Sequence, residues 1–302
     1  MRRRSLIAAT LALPSLRAPP AAGQGVPMVV ASFSVLGDMV RRVAGDRVRL
    51  ETLAGPEMDA HRFQPRPSEL LALREAVLVV RNGLGFDGFV DRMMRSAGWR
   101  GRVVTATEGI AARSMAGHAH GRGAVPDPHA WQDLRLGVHY VRRIAEGLAA
   151  ADPANAAAHV ASAETYVTRL EELDAWVRAQ VATVPEARRK VVTSHDAFGY
   201  LGAAYGMTFL APQGVSTEAE PSAAQVARLI RQVRAEGITA VFLENMASPV
   251  ALERLAQEAG VRVRGRLYAD ALSVPEGPAP SYEAMFRHNI GLLVPAMRGD
   301  GA

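Results

Sequence analysis

Eight histidines and no cysteine set the chemistry open to this 302-residue chain: His61, His118, His120, His129, His139, His159, His195 and His288. Without thiolates there is no disulfide, iron–sulfur cluster, cysteine nucleophile or Cys-type zinc site, so strong metal ligands must come from His, Asp and Glu. Three of the histidines stand in segments dense in turn residues. These are Met58-Asp59-Ala60-His61-Arg62-Phe63-Gln64-Pro65, Asp127-Pro128-His129-Ala130-Trp131 and Thr193-Ser194-His195-Asp196-Ala197-Phe198. His195 directly follows an apolar run at 191–193, and ligands of open α/β sheets bind outside the carboxyl ends of strands. Leu267-Tyr268-Ala269-Asp270 places a carboxylate beyond a strand expected to end near 263, a possible fourth arm. Separations of about 65 to 75 residues match no compact zinc motif, so spacing alone is weak evidence. A single histidine is more often a hydrogen-bonded structural group than a ligand. His139, His159 and His288 stay in that class, within helical patterns and with no converging carboxylate.

Two other constellations resemble catalytic or cofactor motifs. In Ser194-His195-Asp196 the three residues are adjacent, a placement that rarely aims side chains at one another in a relay, and no Gly-x-Ser-x-Gly elbow surrounds Ser194. Asp196 is expected to start the following helix, where a carboxylate meets free amides. Gly83-Leu84-Gly85-Phe86-Asp87-Gly88 fits the dinucleotide fingerprint, with Glu108 twenty residues beyond its last glycine. It is not at the first strand, however, and Asp87 would set a negative charge beside a pyrophosphate. A turn is the expectation there. Asp59, Asp127, Glu218 and Glu244 are candidates to accept the second ring N–H of a metal-bound imidazole, with no assignment to a particular histidine.

The elements that would position these groups alternate between short β-rich runs and helical patterns, the signature of α/β architecture with largely parallel sheets. The runs fall at 28–33, 48–53, 77–80 and 102–105 in the first half, and at 191–193, 208–210, 240–243 and 261–263 in the second. Two lobes follow, each with a central mostly parallel sheet flanked by helices. Between them 133–151 reads as one helix, Asp152-Pro153 interrupts it, and 154–182 reads as a longer one that Pro185 ends. At 1.5 Å per residue the second helix is roughly 40 Å long, a rigid backbone helix joining the lobes. The expected divisions are 24–151, 152–186 and 187–302.

Composition agrees with a folded globular chain: 49% hydrophobic, 22% charged, mean hydropathy near zero. Met1-Arg2-Arg3-Arg4, an apolar run at 5–16 and small residues up to Gly23 read as a cleaved secretory signal peptide over 1–23, too short in its apolar part for a membrane anchor. The paired arginines tolerate either general secretion or twin-arginine export. Cleavage takes the 35 basic residues to 31 against 30 acidic ones, so the formal charge of +5 gives no reason to expect a nucleic-acid partner. With no cysteine behind the leader, no lipid anchor is expected, and a free periplasmic monomer follows.

Over its mature length the chain resembles the zinc- and manganese-binding solute-binding proteins of ATP-binding-cassette importers. The resemblance is carried by Asp59-Ala60-His61-Arg62-Phe63-Gln64-Pro65-Arg66-Pro67-Ser68, Asn82-Gly83-Leu84-Gly85, Asp127-Pro128-His129-Ala130-Trp131 and Ser194-His195-Asp196-Ala197-Phe198-Gly199-Tyr200. Further on come Glu218-Ala219-Glu220-Pro221-Ser222, Glu244-Asn245 and Leu267-Tyr268-Ala269-Asp270-Ala271-Leu272-Ser273. It implies metal ligation by His61, His129, His195 and Asp270, two from each lobe, and two α/β lobes on a rigid helix. Ala60, Gln64 and Leu134 depart from the residues usual in the family at those places. His118 and His120, flanked by Gly117, Gly121 and Gly123, resemble a shortened form of the His-rich loop of zinc-binding relatives, a possible auxiliary metal site.

Three imidazoles and one carboxylate suit tetrahedral Zn(II), whereas manganese prefers more oxygen and higher coordination. Zinc is the expected cargo, with manganese or iron the alternative within the same class. Delivery to an integral membrane permease, not catalysis, is the expected role, because four protein donors leave no open position for water. A zinc-dependent hydrolase with Glu244 or Asp196 as general base is the rival from another class, and a structural metalloprotein is a third. Affinity should fall as pH drops through the free-histidine range near 6.5.

Overall fold

Every residue of the first apolar run is buried in β1 (Met28–Phe33), which passes directly into α1 (Ser34–Ala44). β2 (Arg49–Ala54), α2 (Pro67–Glu75), β3 (Ala76–Arg81), α3 (Gly88–Ala97) and β4 (Arg102–Thr105) complete a parallel sheet of order β2-β1-β3-β4. A short antiparallel pair, β5 (Ser114–Met115) and β6 (Val125–Pro126), follows at the rim. These are elements of a computed structural model that describes residues 25–115, 125–246 and 248–300. The expected leader at 1–23 and the pair His118 and His120 lie outside the described residues.

Helix α4 (Leu134–Ala151) begins where the Asp133 side chain accepts from the Arg135 N–H. Pro153 stands in a single 3-10 turn, and α5 (Ala156–Ala182) then runs for 27 residues, about 40 Å by its rise. α5 packs on α1 and α4 on one side and on α6 (Gly199–Tyr205) and the C-terminal helix on the other. The second lobe repeats the first in topology. β7 (Lys190–Val192), β8 (Thr208–Leu210), α7 (Ala223–Glu236), β9 (Ala240–Glu244), α8 (Val250–Ala259), β10 (Val263–Leu267) and α9 (Tyr282–Arg298) build a parallel sheet of order β10-β9-β7-β8. Read from its other edge, this is the second-first-third-fourth order of the amino-terminal sheet.

One strand departs from expectation. The run at 261–263 predicts a strand ending near 263, but the strand is Val263–Leu267. Gly260 caps α8 in the left-handed region, and the Val261 N–H closes back on Ala256 C=O at 2.9 Å, so Val261 belongs to the turn. Arg264, Gly265 and Arg266 hide the true strand from a hydrophobicity reading. The correction moves the strand end to within three residues of Asp270.

The two lobes share one apolar core. From β1 and β3 it continues through Trp131, α4 and α5 to Phe242, Tyr282, Phe286 and Leu293 of the second lobe. Only the outer layer of that lobe, Leu229, Ile230 and Val233 of α7 with Val241, Leu252 and Leu255, forms a separate cluster. Polar contacts stitch the same interface: Ser34 Oγ accepts from Leu272 N–H at 2.9 Å, and Asp38 Oδ2 accepts from Tyr282 N–H at 2.9 Å.

Candidate metal centre

Each candidate side chain sits on a loop at the carboxyl end of a sheet, and a neighbouring group holds it there. His61 lies between β2 and α2, its backbone N–H donating to Asp59 Oδ1 at 2.9 Å. His129 precedes a 3-10 turn, Ala130–Gln132. Asp127 Oδ1 takes both the His129 backbone N–H at 3.0 Å and the Nδ1 side of its ring at 2.8 Å. His195 comes three residues after β7. Glu244, the last residue of β9, accepts its backbone N–H at 2.9 Å on Oε1 and sets Oε2 2.5 Å from its Nδ1. Asp270 follows β10, and the carbonyl before it, Ala269 C=O, accepts from Trp131 Nε1 at 3.0 Å and Gln132 Nε2 at 3.1 Å. Those two donors reach across from the first lobe.

The four side chains converge. One potential donor atom from each of His61, His129, His195 and Asp270 lies within 4.8 Å of all the others. Asp270 Oδ2 is 3.2 Å from His61 Nε2 and 3.1 Å from His195 Nε2, and Oδ1 is 3.5 Å from His129 Nε2. His129, His195 and Asp270 are wholly buried. His61 Nε2, His129 Nε2 and Asp270 Oδ1 are buried without a hydrogen-bond partner among the described residues. Buried polar atoms are rarely left so, and three pointing at one spot fit a shared cation. With Asp127 and Glu244 on the Nδ1 side of their rings, His129 and His195 present Nε2 inward, the carboxylate–histidine arrangement that fixes tautomer and raises ligand basicity.

Electrostatics show how strongly the cluster wants positive charge. Burial alone would disfavour a charged His129, but the carboxylates of Asp270 and Asp127 outweigh it and raise the imidazole to about 9. Burial likewise opposes charge on His195, and Glu244 and Asp270 lift it well above its ordinary value. Desolvation pushes the Asp270 carboxyl up, yet the facing His129 and His195 hold it well below the usual carboxylate range. In the metal-free protein protons therefore occupy the place of a cation. A cation bound by these side chains would meet proton competition above the range near 6.5 expected for free histidine.

The remaining sequence candidates go elsewhere. His139 Nε2 meets Glu108 C=O at 2.9 Å and His288 Nε2 meets Arg266 C=O at 2.9 Å, while His159, against the expectation of no carboxylate near it, meets Asp152 Oδ2 at 3.0 Å across the α4–α5 break; all three are structural contacts. Glu218 is exposed. Asp196 does not start α6, whose N-cap is Phe198. In the Gly83–Gly88 turn the Asp87 carboxylate takes the N–H groups of Asn82 at 2.5 Å and Gly83 at 3.0 Å, which a phosphate would need. That same turn supports the candidate site: Asn82 Nδ2 donates to Pro128 C=O at 2.9 Å, bracing the loop of His129. Asn82, Gln132 and Thr217, whose hydroxyl donates to Asp59 Oδ2 at 2.6 Å, are supports that sequence reasoning did not single out. In Asp127-Pro128-His129 the Asp-x-His spacing is a local signal for the ring partner, whereas in Asp59-Ala60-His61 it is not: from His61, Asp59 takes only the backbone N–H and so does not accept a ring N–H as expected from the sequence.

Residues 29–296 match the family described as "Zinc-uptake complex component A periplasmic". The chain belongs to this family. Members are metal-binding solute-binding proteins of ATP-binding-cassette importers. Among relatives, the manganese-binding lipoprotein MntA of Halalkalibacterium halodurans is 31% identical over 272 residues, 90% of this chain and 88% of that protein. The zinc-binding protein TroA of Treponema pallidum is 30% identical over 282 residues, 92% and 91%. The iron ABC transporter substrate-binding lipoprotein MtsA of Streptococcus pyogenes serotype M1 is 27% identical over 268 residues, 87% and 86%. The solved structure of periplasmic zinc-binding TroA superposes with a TM-score of 0.84 at 29% identity, covering 90% of this chain and 99% of its own. The fold of the family is thus the two-lobed one described above, with its long bracing helix.

Proposed function

We propose that the protein is a periplasmic receptor that captures Zn(II) between its lobes through His61, His129, His195 and Asp270 and delivers it to the permease of an ATP-binding-cassette importer. The observation that carries the reading is the convergence of three imidazoles and one carboxylate within 4.8 Å. That donor set is borderline in softness and four in number, which matches tetrahedral zinc. Because all four positions are filled by protein, no site remains for an activated water, and Glu244 is already engaged with His195. Capture without hydrolysis follows. The amino-terminal 23 residues are read as the export leader, residues 24–151 and 187–302 as the lobes, and 152–186 as the brace.

Manganese is the second reading, favoured by the 31% identity to a manganese-binding relative. Asp270 presents both carboxylate oxygens toward the imidazoles, so bidentate binding would give the higher coordination that manganese prefers. Elemental analysis of the protein isolated from its native compartment separates the two. Near-stoichiometric zinc is expected. Manganese at that stoichiometry would keep the receptor class and overturn the cargo.

A further inference from the structure

The three histidines are not held alike. Asp127 and His129 belong to the first lobe, and Glu244 and His195 to the second, so each pair survives separation of the lobes intact. His61 has no carboxylate set against its Nδ1 among the described residues; its polar contacts there are Nε2 with Asp270 and the backbone N–H on Asp59, and its ring meets Phe86 edge to face at 4.8 Å. Asp59 is in turn gripped from the other lobe, by the Thr217 hydroxyl at 2.6 Å. The start of the same loop is gripped too. Glu57 N–H donates to Leu272 C=O at 2.9 Å, and Asn245 Nδ2 donates to Glu57 Oε2 at 3.0 Å. Glu57 has φ +56° in a turn closed by Met58 N–H on Gly55 C=O at 3.3 Å. Glycine is the usual residue at such a position, and a strained conformation persists only where its surroundings hold it. Ala60 and Phe63, by contrast, are buried in the first lobe's core.

We propose that residues 55–61 form a release clasp, in which the Thr217–Asp59 and Asn245–Glu57 hydrogen bonds transmit lobe closure to His61 and make it the first ligand to leave when the lobes part. The inference rests on the receptor reading above. Thr217 and Asp59 are positioning residues that act through His61. The exit route is consistent with this order: a groove of about 270 Å³ between Leu84 and Phe89 of the first lobe and Val215 and Glu218 of the second reaches His61. A permease that draws the 215–218 segment away removes the Thr217 hydroxyl from Asp59 Oδ2 and so frees the carboxylate whose Oδ1 accepts the His61 N–H.

Zinc dissociation from the loaded full-length protein, followed by stopped flow against excess chelator, tests the clasp. A hydrogen bond to a charged acceptor lost from the bound state should speed dissociation about tenfold or more in Thr217→Val. Thr217→Ser should return the rate to within about twofold of wild type, since it keeps the hydroxyl. In a His61→Ala background Thr217→Val should add nothing, because coupled residues are not additive. Glu57→Ala, which cuts the second hold at an exposed side chain, gives the same pattern and serves if Thr217→Val does not fold. A wild-type rate in these variants, or equal acceleration with and without His61, overturns the clasp while leaving the receptor reading standing. Wild-type protein that binds none of zinc, manganese or iron overturns both.

Discussion

The two lobes carry the same parallel sheet in the same strand order and use its carboxyl end differently. In the second lobe the site is built at the topological switch point: His195 follows β7, Glu244 ends the adjacent β9, and Asp270 follows β10. In the first lobe the switch-point strands supply support instead. β1 leads to Ser34, which holds Leu272 N–H of the other lobe, and β3 leads to Asn82, which braces the loop of His129. The ligand candidates come from beyond β2 and beyond the β5–β6 hairpin. The comparison teaches that a shared topology offers several loop ends, and that local hydrogen-bonding partners decide which become donors. His129 and His195, rooted beside their own carboxylates, are the fixed pair. His61, whose Nδ1 has no such carboxylate among the described residues, is the adjustable member.

The largest effect should separate fixed from adjustable ligands. His195→Ala and His129→Ala each remove a candidate donor and leave buried Glu244 or Asp127 without its imidazole, held only by the backbone N–H. A loss of roughly two to three orders of magnitude in zinc affinity is expected, the scale of an orphaned buried charge. His61→Ala strands no carboxylate and should lose less. Competition titration with a chelating indicator measures all three, and equal losses would erase the distinction between the ligands.

Next in size are the carboxylates themselves. Glu244→Gln and Asp127→Asn keep shape but remove charge from the Nδ1 side, and each should weaken zinc about 10- to 100-fold. Isothermal titration should show the two changes to be similar. A large loss in only one would mean that the lobes do not hold their histidines equivalently.

The pH dependence of stability sharpens the same point. His129 is raised to about 9 in the metal-free fold. A raised folded pKa stabilises fully below the unfolded value near 6.5 and is lost as pH climbs through about 9. Metal-free protein should therefore melt at lower temperature as pH rises across that window, whereas zinc-loaded protein should not, the cation having replaced the proton. The depressed Asp270 works in the opposite sense, stabilising above pH 3.8 and losing that contribution as pH falls toward its lower folded value. Calorimetry on both forms checks the sign, and a metal-free melting temperature that rises from pH 6.5 to 9 would contradict the assignment of charge in the cluster.

The smallest effect on metal lies in the outer layer of the second lobe. Leu255 belongs to the separate cluster of α7 and α8, so Leu255→Ala should cost about 2–5 kcal/mol of stability. Zinc affinity should stay within about twofold, because substitutions without shared partners add independently. Denaturant unfolding with a parallel zinc titration tests this, and a large affinity loss would tie that layer to the site.

Much of this is legible in the amino-acid sequence. The runs at 28–33, 102–105 and 208–210 mark β1, β4 and β8 to the residue, because β-branched and aromatic residues favour strands and turn formers bound them, in the internal β1 and in the edge strands β4 and β8 alike. The Asp152-Pro153 break between α4 and α5 was equally plain, since proline cannot continue a helix interior. β10 was misplaced because its arginines and glycine carry no hydrophobic signal. Turn-rich segments and strand ends single out the four candidate residues one by one, and the family resemblance is what joins them as a set, since donors 65 to 75 residues apart meet by topology and not by local spacing. Asp127 could have been assigned to His129 two residues away, but Glu244 lies 49 residues from His195. Thr217 was invisible, 158 residues from Asp59.

The central claim is that four side chains share one cation. Anomalous diffraction from crystals of the zinc-loaded protein, collected on both sides of the zinc edge, tests it most directly. One full-occupancy peak is predicted, roughly 2.0–2.2 Å from Nε2 of His61, His129 and His195 and from the Asp270 carboxylate. A peak bonded to fewer than three of these histidines, or lying elsewhere on the molecule, would contradict the account.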